Sequence, residues 1–254
     1  MCIDSSFRIA FALSTCPRVC CWSRKRFPVA SSSIQAKFKG FFSDEPVKGP
    51  FPGRFRNWYL TKRDVAEVWC YRGSLGISSL SLGSCLVLGS FFPQSPHWLL
   101  DLSIWLSTLS LGVALQFIHI YAKVLKQALQ ILWLVGVLGA LYVQLSSPSN
   151  ELVLETLKNP SLLLFSGWTV VSLTGLLFKE AFCYRQYEAV ALTLIVPFVA
   201  LGHFFSVLSN EAATVMMSSF SLLYIYFSLR KFSSPIVDDI GDKSVFEYLE
   251  KTDR

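Results

Sequence analysis

Apolar residues fall along the chain in six long runs, at about 73–92, 98–120, 128–145, 161–178, 189–208 and 212–229. Each is close to the ~17–25 residues that a helix needs to cross the hydrocarbon core of a bilayer. None alternates with period two as a barrel strand would, and an open sheet in lipid would leave backbone groups unpaired. The pattern therefore predicts an all-α membrane protein with six transmembrane helices. It divides the chain into a leader at 1–42, a polar lead-in at 43–72, the six-helix domain at 73–230 and a C-terminal tail at 231–254.

The basic residues give these helices a direction. Lys62, Arg63, Arg72, Lys123, Lys126, Lys179, Arg185, Arg230 and Lys231 all fall on one side, and the opposite loops carry only Lys158. By the positive-inside rule both termini face the basic compartment. The tail, ending in SVFEYLEKTDR, is acid-leaning and is expected to be solvated, with docking of a short amphipathic turn as the alternative.

Composition agrees with the pattern. Of 254 residues, 52% are hydrophobic and 16% charged, against about 25% charged in ordinary soluble domains. The mean hydropathy is +0.46. These values exclude a soluble enzyme, a nucleic-acid-binding domain and a secreted disulfide scaffold. The formal charge of +6 resides wholly in residues 1–42, which hold seven basic residues and one acid, while the remainder balances. That segment is also rich in Ser and Thr, the composition of an organelle transit peptide. A chloroplast membrane is the expected location, thylakoid ahead of inner envelope with both termini stromal, and the mitochondrial inner membrane is the alternative.

A self-similarity stands out. Glu67-Val68-Trp69-Cys70-Tyr71-Arg72 precedes the first run and Glu180-Ala181-Phe182-Cys183-Tyr184-Arg185 precedes the fifth. The intervals Tyr71 to Gly89, Tyr121 to Gly139 and Tyr184 to Gly202 are equal. Three parallel helical-hairpin repeats would explain this, with coincidence in a biased composition as the competing account. Interfacial Tyr anchors helices and the neighbouring charges reach headgroups or partners, so Glu67, Tyr71, Arg72, Glu180, Tyr184, Arg185 and Glu188 are the candidate contacts. Cys70 and Cys183 share the basic side and are candidates for redox chemistry.

Ionisable groups inside a membrane are costly and point to function. Asp101, one turn into the second run, and His203, near the end of the fifth, fall in the same leaflet and form a candidate polar pair. The plainer reading is a shallow, hydrated Asp101 and a His203 bonded to a neighbouring carbonyl. His119 and His203 lie at opposite faces and cannot share a haem iron. No CxxC, GxSxG, HExxH, P-loop or dinucleotide fingerprint occurs, so no cofactor and no enzymatic activity are expected.

At QFIHIYAKVLKQALQ and TGLLFKEAFCYRQYEA the chain resembles a family of uncharacterised integral membrane proteins shared by cyanobacteria and plastids, over about residues 55–230. The resemblance implies a plastid membrane and carries no mechanism. The partners expected are the lipid bilayer and a photosynthetic membrane complex, for which the chain would be an accessory or assembly factor. The alternative is a transporter or channel for a small solute or ion.

Overall fold

A computed structural model describes residues 43–252, apart from positions 93, 149 and 185. The expected transit peptide and Arg185 lie outside the described residues, as does the side chain of Tyr184. The lead-in opens with an antiparallel hairpin, β1 (Pro46–Phe51) paired with β2 (Trp58–Thr61). Trp58 and Leu60 point inward while Tyr59 between them is exposed, the period-two pattern of a half-buried strand.

The first helix starts earlier than the apolar run implies. Helix α1 spans Lys62–Phe91, so the segment from Lys62 to Arg72 continues the membrane helix. A capping box sets its start: the Thr61 hydroxyl accepts from the Asp64 N–H, and the Asp64 carboxylate accepts from the Thr61 N–H. At ~1.5 Å per residue its 30 residues reach about 45 Å, longer than the hydrocarbon core.

Helices α2 (His97–Phe117) and α3 (Lys123–Ser146) follow, then the short α4 (Leu152–Lys158). The fourth apolar run is not one straight helix. A 3-10 turn and α5 (Leu163–Ser166) meet α6 (Trp168–Tyr184) at a bend of 64° next to Gly167. Helices α7 (Tyr187–Phe204) and α8 (Asn210–Ser233) complete the bundle. Among the described residues five helices are long and apolar enough to cross a membrane, or six if the bent pair is counted as one span.

The helices pack α1 against α2 and α8, α3 against α6, and α7 against both α6 and α8. Leu75, Leu115, Leu176, Leu192, Tyr224 and Phe227 lie in the central core. Helix α1 is the most enclosed of the five straight spans, 44% of its apolar window being buried against 22% for α3. Its serines explain why. Ser79 bonds Ser228 at 2.7 Å and Ser78 bonds Ser107 at 3.1 Å, contacts that hold α1 against α8 and α2. Leu134, Leu138, Leu145, Leu194, Phe198 and Leu201 face outward, as a lipid-facing surface requires.

The tail is docked, which corrects the expectation of a solvated end. Helix α9 (Ile236–Ile240) buries Ile240 against Trp58, Leu60 and Val68, so tail, hairpin and α1 share a small core. Gly241, at φ +75°, turns the chain into α10 (Lys243–Thr252). There Tyr248 stacks on Phe55 at 4.1 Å, Lys243 pairs with Asp64 at 2.8 Å, and Glu247 pairs with Arg56. Asp242 seals the turn. Slight burial pushes its carboxyl up, but hydrogen bonds from the Arg54 N–H and from Ser244 outweigh it and hold the group below its ordinary value.

Candidate functional site

Two polar features sit within the apolar bundle. The first is an ionic cluster where the basic-side ends of α1, α6 and α8 converge on α9. Arg72 donates through Nε to Asp239 at 2.6 Å and through its other nitrogens to the carbonyls of Ser234 and Pro235 at 2.9 and 3.0 Å. Lys231 bridges Asp239, at 2.6 Å, and Glu180. Glu180 also accepts from the Tyr71 hydroxyl at 2.7 Å and from Lys179 at 3.0 Å. Arg72, Glu180, Lys231 and Asp239 are all at most 3% exposed. Desolvating such groups is tolerable only with this density of partners, and removing any one strands the others.

The second feature is a chamber of about 350 Å³ among the helices of the bundle, about half open to its surroundings. It draws its lining from every long helix: Leu82 from α1, Leu111 from α2, Ala140 from α3, Val170 from α6, Ala200 from α7 and Phe220 from α8. No Asp, Glu, Lys or Arg is among its lining residues. Its polar lining residues are Ser78, Ser107, Thr108, Thr156, Ser166, Thr169 and His203. Residues of helix α4 and of the 64° break border it. The break is irregular backbone inside an apolar run, a feature tolerated in membranes where it is enclosed by protein or borders a cavity.

Asp101 and His203 both fasten α4, without touching each other. The Asp101 carboxylate, 5% exposed, accepts from the N–H groups of Leu152 and Val153 at 3.0 and 2.9 Å, capping the start of α4. His203 Nε2 bonds the carbonyl of Thr156 at 3.3 Å, further along the same helix. The expected pair is thus two separate clasps on one short helix.

The other predicted contacts turn inward. Tyr71, Arg72 and Glu180 are buried in the ionic cluster, which corrects their expected place at headgroups or a partner surface. Glu67 bonds Arg63 at 2.9 Å and lies 3.3 Å from His119, and Glu188 pairs with Arg230. Cys70 is half-buried and Cys183 exposed, and both are free thiols. The two hexapeptide copies meet, because Tyr71 of one donates to Glu180 of the other. They occupy different places, the first inside α1 and the second at the C-terminal end of α6. Sequence reasoning placed Lys179 and Lys231 as topological charges and Asp239 as a solvated acid. Only the separation of acids and bases at span boundaries hinted at their joint burial.

The family model described as "Uncharacterized integral membrane protein (DUF2301)" matches residues 113–248. A protein of Haemophilus influenzae, itself described as an uncharacterized protein, is 30% identical over 163 residues, covering 63% of this chain and 84% of that relative. The chain belongs to this family of uncharacterized integral membrane proteins. No solved structure matches it. The stretch matched to the family carries Lys179, Glu180, Lys231 and Asp239, together with His203 and the broken span. Tyr71, Arg72 and Asp101, which complete the cluster and the clasp, precede it.

Chemically, the arrangement suits enclosure of a ligand. The chamber lies at the small end of the ~300–1,000 Å³ typical of small-molecule sites. Among the described residues no group of three or more His, Cys, Asp or Glu is placed to hold a metal.

Proposed function

We propose that this multi-pass membrane protein is a carrier for a small uncharged solute, held in the central chamber between two polar closures. The observation that supports this reading is the chamber itself, uncharged, lined by all the long helices and bordered by a broken span. Discontinuous helices near the midplane recur at the binding sites of transporters. In this reading the ionic cluster bounds the basic side and the α4 clasps bound the other, and access to the chamber requires those buried bonds to exchange. The other reading is an accessory or assembly factor for a photosynthetic membrane complex; of the loop charges that would serve it, Glu180 lies inside the bundle and offers no docking contact.

We place the carrier in a plastid membrane, thylakoid or inner envelope, with both termini stromal. The basic, hydroxyl-rich composition of residues 1–42 and the one-sided distribution of Lys and Arg support this placement.

The test is osmotic re-swelling of proteoliposomes in diols of graded chain length, followed by light scattering. Ala200→Trp, which adds an indole to the chamber wall and reduces its volume, is the control. The carrier reading expects faster swelling with the native chain than with this variant for at least one diol. Equal rates throughout the series end it.

A further inference from the structure

The contact between His203 and Thr156 narrows what the chamber can hold. This step rests on the reading of the chamber as a solute site. A backbone carbonyl can only accept, so the 3.3 Å contact from Nε2 to the Thr156 oxygen requires the proton on Nε2. In a neutral imidazole that leaves Nδ1 as a lone-pair acceptor. Among the described residues Nδ1 has no hydrogen-bond partner, although His203 lines the chamber. The hydroxyls nearby are already committed as donors, Thr156 to the carbonyl of Leu152 at 2.8 Å and Thr169 to that of Ser166 at 2.9 Å. His203 is one of the residues on the chamber wall, and the remaining wall is mostly aliphatic.

We infer that the chamber binds an uncharged alcohol with a largely apolar body, its hydroxyl donating to Nδ1 of His203. An ether or hydrocarbon of the same shape fills the cavity but leaves the nitrogen unpaired. A carbonyl compound offers it no proton. A carboxylate or amine brings a charge that no lining residue balances, at a desolvation cost the chamber does not offset.

The chain purified in detergent and immobilised by a tag is probed with tritiated geraniol in a scintillation proximity assay. Unlabelled geraniol, 1-octanol and the methyl ether of each serve as competitors. Saturable binding is expected, with each alcohol competing about five-fold better than its ether, the factor that one neutral hydrogen bond supplies. His203→Leu should bind geraniol about five-fold more weakly and lose the difference between alcohol and ether. Ala200→Trp should lose binding altogether. If alcohol and ether compete equally with the native chain, or if His203→Leu keeps the preference, the inference falls while the chamber remains a ligand site. If no saturable geraniol binding occurs and neither alcohol competes, or if the Trp variant binds as the native chain does, the chamber itself is not the site, and the carrier reading falls with it.

Discussion

Arg72 and Asp239 show where single residues escape a reading of the sequence. They are 167 positions apart, and each looked ordinary in its own segment, one an interfacial anchor and the other a tail acid. Helical periodicity reports which face of a helix is apolar, but not which distant charge will neutralise a buried one. The intramembrane acid Asp101 was legible as unusual because of its cost in lipid, and His203 for the same reason. Their actual partners are backbone groups of α4, which no side-chain pattern encodes. The cluster permits a sharp test at Glu180, which accepts from Tyr71, Lys179 and Lys231. Glu180→Gln keeps the shape and removes the charge, leaving Lys179 and Lys231 one buried negative charge fewer to pair with. It is expected to cost about 3–5 kcal/mol, whereas Tyr71→Phe, which removes one neutral donor, costs about 1–2 kcal/mol. Denaturation in mild detergent, followed by circular dichroism, measures both, and a Glu180→Gln cost no larger than that of Tyr71→Phe would show the cluster to be less tightly coupled than its geometry implies.

Among the elements, the straight spans were readable because twenty apolar residues in a row have few other uses. The broken span was not, since a run bent at Gly167 has the same hydrophobicity as a straight one. The proposed repeat can be tested at this scale, because it assigns Gly89 and Gly139 equivalent positions. Their surroundings differ. A Cβ on Gly89 would meet only Leu100, at an ordinary 3.8 Å, whereas a Cβ on Gly139 would overlap the Phe165 backbone just before the break. Gly89→Ala should therefore be neutral or stabilising by up to about 1 kcal/mol, because alanine is the better helix former. Gly139→Ala should destabilise by about 1–3 kcal/mol by forcing α3 away from α5. Thermal melting of the two purified variants side by side measures the contrast. Equal effects would favour repeat equivalence over these local surroundings.

On the scale of the whole described body, the tail closes the basic end. It shares a core with the hairpin, supplies Asp239 to the ionic cluster, and hangs on Asp242 at the turn between α9 and α10. The Tyr121 hydroxyl accepts from the Asp242 N–H at 2.6 Å, so the same residue also fastens the loop after α2. This closure carries a pH dependence of definite sign. The Asp242 carboxyl is held below its ordinary value of 3.8 in the folded chain. A carboxylate depressed in this way contributes stability that is fully present above the unfolded value and is lost as pH falls through the folded one. The tail should thus remain docked through the neutral range and loosen only below about pH 4, where Arg54 and Ser244 lose their acceptor. Hydrogen exchange of the α10 amides, corrected for its intrinsic pH dependence, follows the loosening. Asp242→Asn removes this titration, so its protection should already be reduced at neutral pH and should fall less on acidification. If the native chain and the Asn variant show the same acid profile, Asp242 is not the group that holds the tail, and the ion pairs of Glu247 with Arg56 and of Asp64 with Lys243 must carry the dependence instead.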